Sequence, residues 1–167
     1  MKKNLIVLAL ILILALTITA LAGCNLFAAK EKTFSKAGMS IVLTEAFVEK
    51  EAAGQTVAYE SKKAVVMVVK EEFTLFQSLG VSTDISLQEY AELVISGGGL
   101  TGVSVEVKNG LTCFEYKKTV DGKDLSYFAT VFRGSDAYWL IQFSAETKNY
   151  NGLLDTFITW AKSVSFS

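Results

Sequence analysis

Residues 103–145 have the sequence VSVEVKNGLTCFEYKKTVDGKDLSYFATVFRGSDAYWLIQFSA, in which strand-like stretches are separated by three turn signals. Asn109-Gly110 and Asp121-Gly122 are typical of two-residue hairpins, because asparagine, aspartate and glycine tolerate the positive φ angles that such turns need. Gly134-Ser135-Asp136 marks a third turn. The pattern predicts an antiparallel meander of four strands, over 103–107, 111–119, 125–132 and 137–145.

The sequence before this meander predicts more strands and one helix. Strands are expected over 38–43, 57–61 and 64–70, and the last is apolar at successive positions, as in a central strand covered on both faces. Ser86-Leu87-Gln88-Glu89 is a capping box at the start of a helix. Gly97-Gly98-Gly99 ends that helix. Because these glycines follow a helix and precede a strand, they do not match a phosphate-binding loop.

The C-terminal sequence predicts an amphipathic helix that packs on the sheet. Apolar residues recur from Tyr150 to Val164 at spacings of three and four, Trp160 flanks the stripe, and Thr147 or Asn149 is the expected N-cap. The element order therefore predicts an α+β domain with an antiparallel sheet.

The first 24 residues have the features of a bacterial lipoprotein signal. A basic start at Met1-Lys2-Lys3 precedes an aliphatic run over 5–16, and Leu21-Ala22-Gly23-Cys24 follows at the spacing of a lipobox. The resemblance to lipoproteins implies cleavage before Cys24 and a diacylglycerol thioether on its sulfur. We therefore expect a cleaved signal over 1–23, a lipidated tether over 24–32 and one domain over 33–167.

Two other interpretations of this segment stay open. Residues 5–22 are close to the minimum length of a membrane-spanning helix, so the signal can be an uncleaved anchor. Alternatively, Cys24 is an ordinary cysteine after a plain signal peptide. If Cys24 carries lipid, Cys113 has no partner for an intramolecular disulfide, and its strand-like surroundings predict a small buried core residue.

Composition excludes several classes of function. The chain has 167 residues, no histidine and no proline, so imidazole cannot serve as a base or metal ligand. The apolar fraction of 51% includes the signal; without residues 1–23 it is about 47%, an ordinary globular value. The cations come in separated groups (Lys62-Lys63, Lys117-Lys118 and Lys123, with Arg133 the only arginine), as on solvated strand ends. No nucleic-acid partner is expected, because that needs a concentrated basic face.

Three carboxylate pairs are the candidates for acid–base or metal chemistry. They are Glu71-Glu72, Asp121 with Asp124, and Glu89 with Glu92. Each has a structural interpretation: Glu71-Glu72 lie at the exposed end of a strand, Asp121 belongs to a turn, and Glu89 belongs to the capping box. We assign no catalytic residue, no metal ligand and no cofactor.

The order of packing and turn residues resembles the PsbP/DcrB-like group of small secreted or lipid-anchored proteins. It is carried by Phe34 with 38–43, Tyr59-Glu60-Ser61, Glu89-Tyr90, Gly110-Leu111 with Tyr116, 135–139 with Phe143, and 157–164. Members commonly have proline after the first core strand, where this chain has Thr44. The resemblance implies an α/β/α sandwich around an antiparallel sheet, in accessory or binding proteins, and transfers no active-site residues.

We therefore expect a non-enzymatic binding or accessory module of the cell envelope, held on the extracytoplasmic face of the membrane through acylated Cys24, with an envelope protein as partner. In a two-membrane bacterium the outer membrane is the alternative location. The alternative functions are a carboxylate-dependent enzyme and a small-ligand or metal-ion carrier, with a pocket lined by Tyr90, Trp139 or Trp160.

Overall fold

The computed structural model describes residues 30–167. This part of the chain contains ten strands and four helices. The strands are β1 (Glu31–Lys36), β2 (Met39–Thr44), β3 (Val48–Lys50), β4 (Val57–Glu60), β5 (Val65–Glu72), β6 (Glu106–Lys108), β7 (Leu111–Val120), β8 (Lys123–Arg133), β9 (Ala137–Glu146) and β10 (Ser165–Phe166). The helices are α1 (Phe73–Ser78), α2 (Leu87–Gly97), α3 (Thr147–Tyr150) and α4 (Leu154–Lys162).

Seven strands form the main sheet, in the order β3-β4-β5-β9-β8-β7-β6, and every neighbouring pair is antiparallel. β5 lies between β4 and β9, and its residues 65–69 are all buried. The predicted central strand is therefore confirmed. A strand that is covered on both faces has no solvent-facing side, so its sequence does not alternate between apolar and polar residues.

Both predicted hairpin turns are present. Asn109 and Gly110 have φ angles of 54° and 83°, and Asp121 and Gly122 have 49° and 75°. The first strand of the meander is shorter than predicted, because only Glu106–Lys108 pairs with β7. Val103 and Val105 instead pack against the core that contains Tyr90 and Tyr138. Their alternation with polar residues therefore reflects burial of the valines and not pairing with a neighbouring strand.

Helix α2 begins and ends as the sequence predicts. The Ser86 side chain accepts a hydrogen bond from the Glu89 amide, and the Glu89 side chain accepts one from the Ser86 amide. At the other end Gly99 has a φ of +62°, and the amides of Gly99 and Leu100 donate to the carbonyls of Ser96 and Ile95. This is a Schellman motif, and it satisfies carbonyls that the last turn leaves free.

The C-terminal helix differs in its start. Thr147–Tyr150 forms one separate helical turn, and α4 begins only at Leu154. The predicted caps at Thr147 and Asn149 are wrong, because Glu146 and Leu153 occupy the N-cap positions without a side-chain bond. The apolar stripe continues through this break and helix α4 packs on the sheet as predicted.

A second sheet has three strands in the order β1-β2-β10. The sequence predicts β2. β1 pairs with it in a local hairpin, whereas the two-residue β10 pairs with it from the other end of the domain's sequence. Ala37 and Gly38 form the turn of the β1–β2 hairpin, with φ angles of 53° and 92°. β1 begins at Glu31, inside the segment that the sequence assigns to the tether.

Two apolar layers enclose the main sheet. One face packs against α4 and the small sheet, with Phe143, Phe157 and Ile41 among its fully buried residues. The other face packs against α1 and α2, with Tyr138 and Tyr90 at its centre. The α/β/α arrangement with an antiparallel sheet is confirmed.

Candidate functional site

The lipobox lies outside the described residues. Leu21, Ala22, Gly23 and Cys24 precede residue 30, so the structure leaves the lipidation hypothesis as a prediction. Among residues 30–167, no helix is both long enough and apolar enough to cross a bilayer.

Two of the three carboxylate pairs are engaged in local structure. Glu89 accepts bonds from the amide and hydroxyl of Ser86 in the capping box, and these bonds lower its pKa. Glu92 accepts from Gln88 on the same helix at 3.0 Å. Asp124 accepts from the Thr119 hydroxyl at 2.6 Å across the β7–β8 hairpin, whose turn contains Asp121. Across the described range, no group of three or more histidine, cysteine or acidic residues is placed to hold a metal.

Glu71 is buried, so the sequence interpretation that places it at an exposed strand end is wrong. It is 4% exposed, whereas the neighbouring Glu72 is exposed. Burial raises the pKa of Glu71 to about 7, and an interaction with the hydroxyl of Tyr90 opposes the rise. The carboxyl lies on the helix side because residues two apart in a strand share a face, and Val65, Met67 and Val69 belong to that side of the core.

Tyr138 organises the surroundings of Glu71, with which it is paired in register. Its ring stacks on Tyr90 at a centroid distance of 4.5 Å and contacts Phe73 and Phe76 of α1. Its hydroxyl accepts from the Ile85 amide at 3.2 Å and lies 2.6 Å and 3.0 Å from the carbonyls of Ile85 and Thr83. This hydroxyl ties the segment between α1 and α2 to the sheet.

Arg133 closes the outer side of this cluster. Its guanidinium donates to the Tyr138 hydroxyl at 3.0 Å and lies 5.1 Å from the Phe73 ring centroid. It also forms an ion pair with Asp84 at 3.4 Å. Glu71 is 4% exposed and Tyr90, on α2, is 1% exposed, so solvent has little access to the Glu71 carboxyl. Arg133 and Tyr138 therefore join the segment between α1 and α2 to strands β8 and β9.

Cys113 is a core residue, as predicted. It is 1% exposed on β7, and burial raises the pKa of its thiol. The nearby ammonium of Lys108 opposes this rise, but Lys108 is itself paired with Glu115, which also accepts from the Tyr150 hydroxyl at 2.6 Å. A buried, protonated thiol is a poor nucleophile.

The three aromatic residues considered for a carrier pocket do not converge. Tyr90 lies in the core between the main sheet and α2, whereas Trp139 and Trp160 lie in the core on the opposite face. Trp160 packs edge-on against Phe47 at 5.2 Å and Phe143 packs against Phe157, so these rings fill the interior. Tyr90 is therefore separated from the two tryptophans by the sheet.

An open depression of about 420 Å³ lies where β8 begins and β9 ends. Its lining combines both signs of charge and consists of Lys123, Asp124, Glu146, Thr147 and Lys148. Lys148 Nζ lies 2.6 Å from Glu146 Oε2, and this contact lowers the pKa of Glu146. Sequence analysis missed the depression because its two sides come from residues more than twenty positions apart.

Comparisons with known proteins show the fold. The sequence matches no model of a known protein family and no curated protein. Cyanobacterial PsbP (CyanoP) from Synechocystis sp. PCC 6803 superposes with a TM-score of 0.50 at 12% identity, over 88% of this chain and 99% of that one. The Ran-binding protein Mog1p of Saccharomyces cerevisiae has a TM-score of 0.53 at 10% identity, over 83% and 96%. LpqN of Mycobacterium tuberculosis, involved in cell envelope biogenesis, reaches 0.47 at 10% identity, over 84% and 92%. The chain has a PsbP-like fold.

Proposed function

We propose that this chain is a lipid-anchored module on the extracytoplasmic face of a membrane, where it binds an envelope protein and performs no catalysis itself. The observation that carries the proposal is the small number of residues between the lipobox and the folded domain. Only residues 25–30 separate Cys24 from Glu31, the first residue of β1. Fully extended, the six steps from Cys24 to Lys30 reach about 20 Å, so an acylated Cys24 holds the domain against the bilayer.

The engaged carboxylates and the buried thiol support a binding role over a catalytic one. Glu89, Asp124 and Glu115 accept hydrogen bonds from neighbouring side chains, and Cys113 is enclosed in the core. The PsbP-like fold also occurs in Mog1p, whose name describes it as Ran-binding. Fold likeness at this identity does not transfer that partner.

The anchor is tested by replacing Cys24 with alanine in the full chain, with Cys113→Ala as the matched control. After metabolic labelling with an alkyne fatty acid, we expect label and membrane sedimentation for the wild type and Cys113→Ala. Cys24→Ala is expected to lose essentially all label, because the thioether to diacylglycerol requires the Cys24 sulfur. Equal labelling of Cys24→Ala and the wild type would show that the lipoprotein proposal is wrong.

The binding role is tested by affinity capture of the lipidated chain from crosslinked native membranes. We expect an envelope protein that is enriched with the wild type and depleted at least about tenfold with Cys24→Ala, since anchoring raises the local concentration of both partners. An anchored wild type that repeatedly recovers no protein above background would contradict a protein-binding module.

A further inference from the structure

Lysines that are separated in the sequence meet at one end of the main sheet. The β4–β5 turn, the β7–β8 hairpin and the junction of β9 with α3 share this end, because Val65 pairs with Ser144 and Ser144 pairs with Tyr127. We name it the lysine end and define it by its six lysines, which are Lys62, Lys63, Lys117, Lys118, Lys123 and Lys148. As the sequence analysis expects of solvated strand ends, these lysines lie at strand ends and turns, and the folded sheet brings them to the same end.

The lysine end is positive on a domain that is otherwise negative. The same strand ends and turns also carry four carboxylates, namely Glu60, Asp121, Asp124 and Glu146. The rest of residues 30–167 contains eight cations and thirteen carboxylates. Five of the six lysines are exposed and Lys123 is half-buried. Antiparallel strands lie about 4.8 Å apart, so from β5 to β7 the lysine end extends about 15 Å.

The chain also enters the domain on the side of the lysine end. The Lys30 carbonyl accepts a hydrogen bond from the Glu45 amide at 2.7 Å, and β3 begins three residues later at Val48. Val48 pairs with Glu60, which immediately precedes the β4–β5 turn, and it is 59% exposed. An exposed valine paired with the strand that leads into the turn of Lys62 and Lys63 is suited to a membrane interface, which accepts apolar groups and cations together.

The tether restricts which part of the domain can contact the bilayer. β8 has 11 residues and is therefore about 35 Å long, whereas the tether from Cys24 to Lys30 reaches about 20 Å. A chain that enters near the lysine end cannot easily bring the opposite end, at the β8–β9 turn, onto the same membrane.

We infer that the lysine end lies on an anionic phospholipid surface when Cys24 is acylated. This inference rests on the proposed anchor and adds the orientation of the domain and the lipid charge that it recognises. Lysines within a Debye length of the surface, about 8 Å at physiological salt, are attracted to anionic headgroups. The negative remainder of the domain is repelled from them, so it faces away from the membrane, where a partner protein can reach it.

Lysine footprinting of the lipidated full chain tests this orientation. The protein is reconstituted in vesicles of phosphatidylcholine alone or with about one third phosphatidylglycerol, acetylated with a water-soluble reagent and analysed by peptide mass spectrometry. We expect Lys62, Lys63, Lys117 and Lys118 to react at least about threefold more slowly on the anionic vesicles, with the protection lost at about 0.5 M salt. Lys70 and Lys108, towards the opposite end, are expected to react equally on both.

Matched variants separate charge recognition from simple crowding by the membrane. Lys62→Gln combined with Lys63→Gln is expected to reduce the protection of Lys117 and Lys118, whereas Lys162→Gln on α4 leaves it unchanged. Equal rates on both vesicle types, with the protein floating with both, would overturn the inference and leave the anchor standing. A protein that floats with neither vesicle would contradict the anchor itself.

Discussion

Replacing Glu71 with glutamine is expected to remove a loss of stability that the wild type shows as the pH rises from about 4.5 to about 7. Burial raises the pKa of Glu71 from 4.5 to about 7, so the folded protein favours the protonated carboxyl. A raised acid pKa gives stability that is fully present below the unfolded pKa and is lost as the pH rises towards the folded pKa. A rise in pKa from 4.5 to about 7 corresponds to a loss of at most about 3 kcal/mol in the free energy of unfolding.

The measurement is urea unfolding of both proteins at several pH values from 4 to 8. Glutamine keeps the shape of the carboxyl but does not ionise, so the difference in stability between variant and wild type should move by about 2–3 kcal/mol in favour of the variant across the window. Glu72→Gln is the matched control, because it removes a carboxyl from the neighbouring side chain, which is 61% exposed. An equal pH-dependent gain in Glu72→Gln would mean that the burial of Glu71 is not the cause. Parallel curves for Glu71→Gln and the wild type would mean that the carboxyl is solvated.

Local signals in the sequence predict those parts of the fold that are determined by a few neighbouring residues. Asn109-Gly110 and Asp121-Gly122 form turns whose positive φ angles most pairs of residues resist. Ser86 and Glu89 satisfy each other's amides within one helical turn. In each case the energetic reason is contained within four residues, so no knowledge of the rest of the chain is needed.

Elements that depend on distant partners were missed or misplaced. β10 consists of two residues and exists because Ser165 and Phe166 pair with β2, more than 120 positions away. Residues 103–105 alternate like a strand, but β7 accepts pairing only from Glu106 onward. The break before α4 at residues 151–153 interrupts a stripe whose periodicity gives no sign of it.

The candidate site shows the same division between local and distant information. Glu71 could have been placed on the buried face, because it continues the alternation of Val65, Met67 and Val69. The proximity of Glu71 to Tyr90 could not have been predicted from the sequence, and neither could the assembly of the lysine end. Both depend on how separate elements meet in the folded sheet.

Replacing Tyr138 with phenylalanine is expected to destabilise the domain by about 2–4 kcal/mol, the cost of breaking several buried hydrogen bonds, one of them to a charged donor. The Tyr138 residue is fully buried, and its hydroxyl accepts from the Ile85 amide and from Arg133. It also lies 2.6 Å from the Ile85 carbonyl. Phenylalanine preserves the ring stacking with Tyr90 but leaves these groups without their partner.

The control is Tyr59→Phe, which removes the same oxygen from an equally buried ring. Within the part of the chain that the structure describes, the Tyr59 hydroxyl is buried without a hydrogen-bond partner. Its removal therefore relieves a desolvation penalty, and we expect no loss, or a gain of up to about 1 kcal/mol. Urea unfolding measures both variants, and hydrogen exchange should show faster opening of residues 81–86 in Tyr138→Phe alone. If the two variants lose stability equally, the hydroxyl of Tyr138 does not hold the α1–α2 segment to the sheet.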